Sequence, residues 1–237
     1  MKTIENIYEI NIDKINKVLF IFPHPDDETV FAAGLIQKLI KAHVQCSLIT
    51  VTTGENSTLR NGLSPGISLK FIRNNELKNA CKILGLKDIT VYGLLDGRVE
   101  ENKEEIMEYV SVYIKEKKPN VIITLEPWGI YGHPDHISLT EIVTKLCALE
   151  FKDTQLIYLT VDQRYKSSVS SLKMAKNPIN IKPTPPTIIL KLSPLEIYNK
   201  VRAFQAHKTQ FKTSLGFWKK WWERGLLQNE FLYIIKK

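Results

Sequence analysis

The sequence has few cysteines, and it lacks the patterns that would give them a structural or redox role. Its three cysteines, Cys46, Cys81 and Cys147, lie in apolar segments and form no C-x-x-C pair. An odd number of well-separated thiols excludes a disulfide scaffold and favours buried, reduced side chains. We therefore expect a protein of a reducing compartment.

Two further absences concern membranes and secretion. No apolar run approaches the roughly 18 residues that a membrane span requires. The first residues, MKTIENIYEIN, lack the apolar centre of a secretory signal. These absences predict a cytoplasmic protein with no stable membrane insertion. A G-x-G-x-x-G motif is also missing after the first predicted strand, which weakens the case for a nucleotide-binding module.

The composition of the chain is that of an ordinary globular protein with a surplus of basic residues. Of 237 residues, 43% are hydrophobic and 24% are charged, which excludes a disordered or collagen-like chain. Lysine and arginine outnumber the acidic residues by 33 to 25. The basic residues are scattered except in the C-terminal tail, so a solvated basic face is favoured and no nucleic-acid partner is expected.

Short β-branched runs alternate with amphipathic patterns along most of the chain, which predicts βαβ units and a parallel sheet. Strands are predicted at 17–22, 44–53, 88–92, 120–125, 155–160, 187–192 and 231–235, and helices at 28–42, 71–84, 103–117, 136–149 and 195–207. No repeat or clean linker divides the chain. We expect one α/β domain over 1–237 of the doubly wound type. It has a long irregular insertion at about 162–187, and a C-terminal helix and edge strand at about 193–237.

Two short motifs carry the candidate chemistry. PHPDDE at 23–28 follows the first predicted strand, and YGHPDH at 131–136 follows the fourth. The carboxyl ends of parallel strands meet at one edge of a sheet, where ligands bind in open α/β folds. Proline and acidic residues are also ordinary at helix starts. However, two motifs that each pair histidine with aspartate at a strand end favour a functional site.

Histidine and carboxylate side chains together suit a divalent metal ion. Three such ligands and an open water position are typical of catalytic zinc, although the same donors suit Fe(II), so the metal stays open. Asp26 and Asp27 are neighbours, so one can bind the ion while the other faces the water as a general base. A second histidine near a ligand histidine can stabilise a tetrahedral intermediate. These residues predict metal-assisted hydrolysis of an amide or ester.

The chain resembles the LmbE/PIG-L family of N-acetylglucosaminyl deacetylases. The resemblance rests on PHPDDE, on HPDH, on AHKTQ at 206–210 and on Arg73 and Glu76 in an R-x-x-E helix. It implies a Rossmann-like, mostly parallel sheet with helices on both faces. The chain departs from the family pattern at Pro23, where the family has alanine, and at Thr209, where it has serine.

Carried over by position, the resemblance implies metal ligands at His24, Asp27 and His136. Zinc is the expected ion, with Fe(II) or another divalent metal as alternatives. Asp26 would be the general base that deprotonates the metal-bound water. His133 would stabilise the oxyanion or protonate the leaving amine.

Four more residues receive roles from the same resemblance. Asp135 would hold the ring of the catalytic histidine, and Tyr131 would act at the oxyanion or the substrate carbonyl. Arg73 and Asp96 would bind sugar hydroxyls.

The C-terminal region admits several interpretations. We expect His207 and Gln210 of the AHKTQ segment to form a structural cap rather than part of the site. The aromatic tail at 217–222, FWKKWW, has the composition of surfaces that stack on sugars or bases or lie at a membrane interface. Packing of these rings, which attaches the last helix to the sheet, is the favoured interpretation.

The implied activity is that of a metal-dependent hydrolase that removes the N-acetyl group from an N-acetylglucosamine-type conjugate by metal-activated water attack. The expected partner is therefore a small-molecule amino-sugar conjugate. Two alternatives stay open: an amidase acting on another acyl-amide or sugar-thiol conjugate, and a non-catalytic carbohydrate-binding protein. Asp26 favours an enzyme, because a pure binder needs no base beside its ligands. The rest of the conjugate and the formation of a homo-oligomer also stay open.

Overall fold

In this computed structural model, which describes residues 1–10, 15–64, 66–162 and 181–235, strands and helices alternate along one sheet. The strands are β1 (Lys2–Ile4), β2 (Lys17–Phe22), β3 (Gln45–Thr52), β4 (Asp88–Leu94), β5 (Val121–Leu125), β6 (Gln155–Thr160), β7 (Ile188–Lys191) and β8 (Asn229–Ile234). The helices are α1 (Asp27–Lys41), α2 (Leu69–Leu84), α3 (Lys103–Lys117), the one-turn α4 (Gly129–Gly132), α5 (Pro134–Leu149), α6 (Pro194–Ala206) and α7 (Leu215–Glu223).

The eight described strands form one mostly parallel sheet in the order β1-β7-β8-β6-β5-β2-β3-β4. Only β8 runs antiparallel to its neighbours, β6 and β7. β2 and β5 read KVLFIF and VIITL, because central parallel strands are buried on both faces. The predicted α/β class with a Rossmann-like sheet is confirmed.

The two faces of the sheet have separate apolar cores. Alternate side chains of β2 point to opposite faces, so Phe20 and Phe22 join one core while Leu19 and Ile21 join the other. On the first face α6 packs against α1 and α2, and on the second α3 packs against α5. The helices therefore cover both faces, as expected for a doubly wound sheet.

The C-terminal strand does not lie at the edge that the sequence predicted. β8 lies inside the sheet between β6 and β7, and its Phe231 and Leu232 are 3% and 0% exposed. The edges of the described sheet are β4 and β1. The sequence did not predict β1, which has only three residues. An apolar strand such as β8 buries more side-chain area between two neighbours than at an edge, which explains the difference.

Two features of the C-terminal half bear on other expectations. Residues 163–180 of the expected insertion lie outside the described residues, so the division into one domain stays a prediction. The rings of Phe217, Trp218 and Trp221 on α7 surround Phe204 on α6, so these three rings of the aromatic tail pack on a helix, whereas Trp222 is 55% exposed. Among the described helices, none has the length and apolar character needed to cross a bilayer.

Candidate active site

The two sequence motifs meet at the carboxyl end of the sheet. β2 leads into His24 and α1, while β5 leads through α4 into α5, and the two strands pair in parallel. The turn after β4 and the loop at 54–64 complete the walls. Together they enclose a cavity of about 390 Å³. It is lined by His24, Asp26, Asp27, Asn56, Ser57, Thr58, Leu59, Arg73, Asp96, Gly97, Arg98, Tyr131, His133, His136 and Gln210.

The three residues assigned as metal ligands converge on one point. His24 Nδ1 lies 3.1 Å from His136 Nε2. Asp27 places Oδ2 3.7 Å from His24 Nδ1 and Oδ1 3.6 Å from His136 Nε2. Donors about 2.0–2.2 Å from a tetrahedral zinc ion lie roughly 3.3–3.6 Å from one another. The donor types therefore suit one divalent ion, with one Asp27 oxygen facing each of the two histidines.

His133 could also take part in binding an ion, together with His24 and His136. One imidazole nitrogen from each of His24, His133 and His136 lies within 4.8 Å of the other two. A metal-binding histidine must be neutral. Burial and the nearby imidazoles hold the pKa of His136 well below its usual range, which suits this role. Burial also lowers the pKa of His24, but hydrogen bonds to three carboxylates outweigh burial and raise it well above its usual range.

Asp26 has an unusual backbone at the start of α1. Its φ of 120° lies in the region that side chains other than glycine rarely adopt. The backbone N–H donates to Glu28 Oε2 at 2.9 Å, and the carboxylate accepts from Arg73 Nη2 at 2.9 Å. Burial raises the pKa of Asp26 to about 7, although the Arg73 charge opposes that rise. Asp26 is thus a carboxylate poised to accept a proton near neutral pH.

Arg73, which was expected to bind sugar hydroxyls, directs its guanidinium to protein oxygens in this structure. The residue is 3% exposed, and its guanidinium donates to Gly54 O at 2.6 Å, to Pro25 O and to Asp26. A Cβ at residue 54 would approach Arg73 Nη1 to 2.0 Å, so only glycine fits beside the guanidinium. Arg73 therefore orients the Asp26 carboxylate, because both of its terminal nitrogens donate to protein oxygens around that residue.

His133 presents one ring nitrogen to the cavity. Its Nδ1 accepts the backbone N–H of Asp135 at 3.2 Å and caps the N-terminus of α5. This hydrogen bond assigns the proton of the neutral ring to Nε2. Burial lowers the pKa of His133 to about 4, and the charge of His24 adds to the shift. The ring is therefore a neutral N–H donor at the cavity wall.

The carboxylates of Asp135 and Asp96 both lie against His24. Asp135 was expected to hold His133: its backbone N–H donates to His133 Nδ1, whereas its carboxylate Oδ2 lies 3.2 Å from His24 Nε2. Asp96 was expected to bind sugar hydroxyls, but its Oδ1 lies 3.1 Å from the same nitrogen. Asp96 reaches His24 from the turn after β4, and Asp135 reaches the same nitrogen from the start of α5.

Tyr131 lines the cavity beside the histidines, with its ring centroid 5.8 Å from that of His133 and 5.4 Å from that of His136. The turn that precedes it depends on Glu126, a buried residue that sequence reasoning missed. Glu126 Oε1 accepts the N–H of Ile130 at 2.6 Å, where the backbone φ is 65°. An acidic residue directly after an apolar strand was the available signal.

Sequence reasoning also missed a buried ion pair behind the site. His207 Nε2 lies 2.8 Å from Glu28 Oε1, and both residues are fully buried. Burial works against both charges, yet the pairing raises the pKa of His207 and lowers that of Glu28. Because Glu28 also binds the N–H of Asp26, the pair supports the unusual backbone there. His207 is therefore an internal support rather than a simple helix cap.

Thr209 and Gln210 of the AHKTQ segment contact α2 and the loop at 54–64, respectively. Thr209 donates its backbone N–H and its hydroxyl to Glu76 at 2.8 and 2.7 Å. Gln210 accepts from Ser57 Oγ at 2.8 Å and donates to Leu59 O at 3.3 Å. Gln210 was expected to be a cap, and it also lines the cavity.

Comparisons with known proteins identify the family of the chain. The family model for GlcNAc-PI de-N-acetylase, PIG-L, matches residues 19–147. A probable N-acetyl-alpha-D-glucosaminyl L-malate deacetylase 2 of Bacillus anthracis is 29% identical over 215 residues, which cover 90% of this chain and 89% of the relative. Diacetylchitobiose deacetylase of Thermococcus kodakarensis is 33% identical over 132 residues, which cover 54% of this chain and 49% of the relative.

A solved structure shares the fold. N,N'-diacetylchitobiose deacetylase of Pyrococcus horikoshii superposes with a TM-score of 0.68 over 97% of this chain and 88% of its own, at 23% identity. At that identity the likeness supports the architecture of the sheet and helices alone.

Proposed function

The chain belongs to the PIG-L family of de-N-acetylases, and from that membership we propose that it is a metal-dependent hydrolase that removes the N-acetyl group from an N-acetylglucosamine-type conjugate. The observation that carries the proposal is the convergence of His24, Asp27 and His136 on one point, with Asp26 beside them. A carbohydrate-binding protein has no use for a carboxylate positioned as a base next to such a centre.

The ion would be held by His24 Nδ1, the Asp27 carboxylate and His136 Nε2. Two imidazoles and one carboxylate are a common ligand set for catalytic zinc, which is the metal we propose, with Fe(II) or another divalent ion as the alternative. When bound, such an ion polarises the amide carbonyl and lowers the pKa of water.

The remaining side chains divide the proton transfer and charge stabilisation between them. Asp26 accepts a proton from the attacking water and returns it to the departing amine nitrogen. Arg73 keeps the Asp26 carboxylate oriented throughout. His133 donates Nε2–H to the carbonyl oxygen as that oxygen gains negative charge. Tyr131 forms the neighbouring part of the wall, where the carbonyl lies.

The substrate is proposed from the relatives and from the cavity. The printed names of the relatives refer to N-acetylglucosaminyl malate and to diacetylchitobiose, so a small amino-sugar conjugate is the proposed class. The acyl pocket needs to hold only a methyl group. Asn56, Ser57 and Thr58 line the cavity with polar side chains, and sugar hydroxyls are proposed to meet this wall. A cytoplasmic location and a homo-oligomer stay predictions of the sequence.

A substrate panel tests this proposal. The metal-loaded protein is incubated with N-acetylglucosamine conjugates and with matched conjugates that carry bulkier N-acyl groups, and released acid and free amine are measured by mass spectrometry. We expect acetate release and much slower cleavage of the bulkier amides. Cleavage of the bulkier amides alone would favour the amidase. Saturable sugar binding without any cleavage would favour the carbohydrate-binding protein.

A further inference from the structure

His24 uses its two ring nitrogens for different neighbours. Nδ1 faces His136 Nε2 at 3.1 Å, on the side where the ion is proposed. Nε2 faces two carboxylates at once: Asp96 Oδ1 at 3.1 Å and Asp135 Oδ2 at 3.2 Å. The ring is therefore held from the side opposite the proposed ion.

The two carboxylates are themselves fixed by the turn after β4. Asp135 is fully buried, and it accepts the backbone N–H groups of Gly97 at 2.8 Å and Val99 at 3.3 Å. The backbone of Asp96 donates to Glu55 Oε1 at 3.0 Å. The positive φ of Gly97, 85°, lets the chain turn sharply between these contacts. The turn thus ties both carboxylates to one another and to His24.

This arrangement determines which ring nitrogen of His24 carries the proton. A neutral imidazole that binds an ion through Nδ1 must carry its proton on Nε2, where it is shared between the two carboxylates. Carboxylates in this position orient the ring and make the ligand nitrogen more basic, and their loss typically lowers metal affinity about 10–100-fold.

We infer that Asp96 and Asp135 are positioning residues that hold His24 with Nδ1 toward the ion, and that Asp96 acts on ion affinity rather than on sugar binding. The inference rests on the proposed ion site. It reassigns Asp96 from the substrate to the ligand sphere because its Oδ1 lies against His24 Nε2.

Metal affinity of the metal-free protein provides the first test. Protein stripped with a chelator is titrated with Zn²⁺ in competition with a chromophoric chelator. Asp96→Asn keeps the size of the side chain and lies on a partly exposed turn, whereas Glu101→Gln removes the same charge from a carboxylate that is 60% exposed and paired with Arg98. We expect Asp96→Asn to weaken Zn²⁺ binding about 10–100-fold, and Glu101→Gln to leave it unchanged.

A second measurement uses the native chain, so it does not depend on how a variant folds. Nitrogen-15 NMR of the Zn²⁺-loaded protein reports which nitrogen of His24 carries the proton. We expect the proton on Nε2, and a proton on Nδ1 would overturn the inference.

Kinetics separate positioning from sugar contact. At saturating Zn²⁺, Asp96→Asn should keep the KM for the sugar conjugate. A raised KM with unchanged Zn²⁺ affinity would overturn the inference and return Asp96 to the substrate. If the native chain binds no divalent ion, the proposed function itself fails, which is a different result from native binding that Asp96→Asn leaves intact.

Discussion

Replacement of Asp26 by asparagine separates the proposed base from the proposed ligands. The asparagine oxygen can still accept from Arg73 Nη2, which now lies 2.9 Å from the carboxylate. The backbone N–H can still donate to Glu28 Oε2. No ligand atom changes. We therefore expect Asp26→Asn to keep both the fold and the bound ion, and to lose only the group that accepts the proton.

The size of the loss follows from the geometry of the base. A positioned general base contributes about 10²–10⁴-fold to the rate, which corresponds to about 2.7–5.4 kcal/mol of activation free energy. Asp26 is held on one side by Arg73, and burial raises its pKa to about 7. Because a base is most effective when its pKa is near the working pH, we expect a loss in kcat toward the upper end of that range.

The assay combines three measurements on the same preparation: acetate release, bound metal by elemental analysis and thermal unfolding. Asp27→Asn is the matched variant, one residue away, and it should lose the ion. If Asp26→Asn empties the site while Asp27→Asn keeps the ion, the two roles are interchanged. An unchanged kcat in Asp26→Asn would show that Asp26 is not the base.

Further predictions concern the ligands, the oxyanion and the fold. His136→Ala should lose bound metal by elemental analysis, and stoichiometric metal in this variant would contradict the ligand assignment. His133→Gln should lower kcat about 10²–10³-fold with the ion retained, whereas loss of the ion would favour the all-histidine ligand set. Lys200 is fully buried with Nζ 2.9 Å from Glu230 Oε1. Lys200→Met should therefore lower the free energy of unfolding in urea by about 3–5 kcal/mol. The same change at the exposed Lys191 should cost no more than about 1 kcal/mol, and equal effects would contradict the reasoning.

Much of the fold and the position of the site could be predicted from local sequence. The strands β2 and β5 are apolar runs in the sequence itself. The alternation of strands and helices could therefore be predicted from local patterns. In a parallel sheet the carboxyl ends of β2 and β5 share one edge, as the sequence predicted for the two motifs. The pairing of these two strands, which the sequence did not predict, places His24 and His136 side by side. Residue type and strand position together indicated a metal site built from histidine and aspartate. The resemblance to the LmbE/PIG-L family then assigned the individual ligands and gave Asp26 the role of base.

The partners of individual side chains were decided by tertiary structure. Asp96 looks like an ordinary turn residue, and only the path of that turn over His24 directs its carboxylate to the ring. Glu28 and His207 are 179 residues apart, and no local pattern indicates that they pair. Strand and helix patterns depend on covalent neighbours, whose spacing the sequence contains. Hydrogen-bond partners depend on which distant segments the packed core brings within about 3 Å, and only the folded chain determines that.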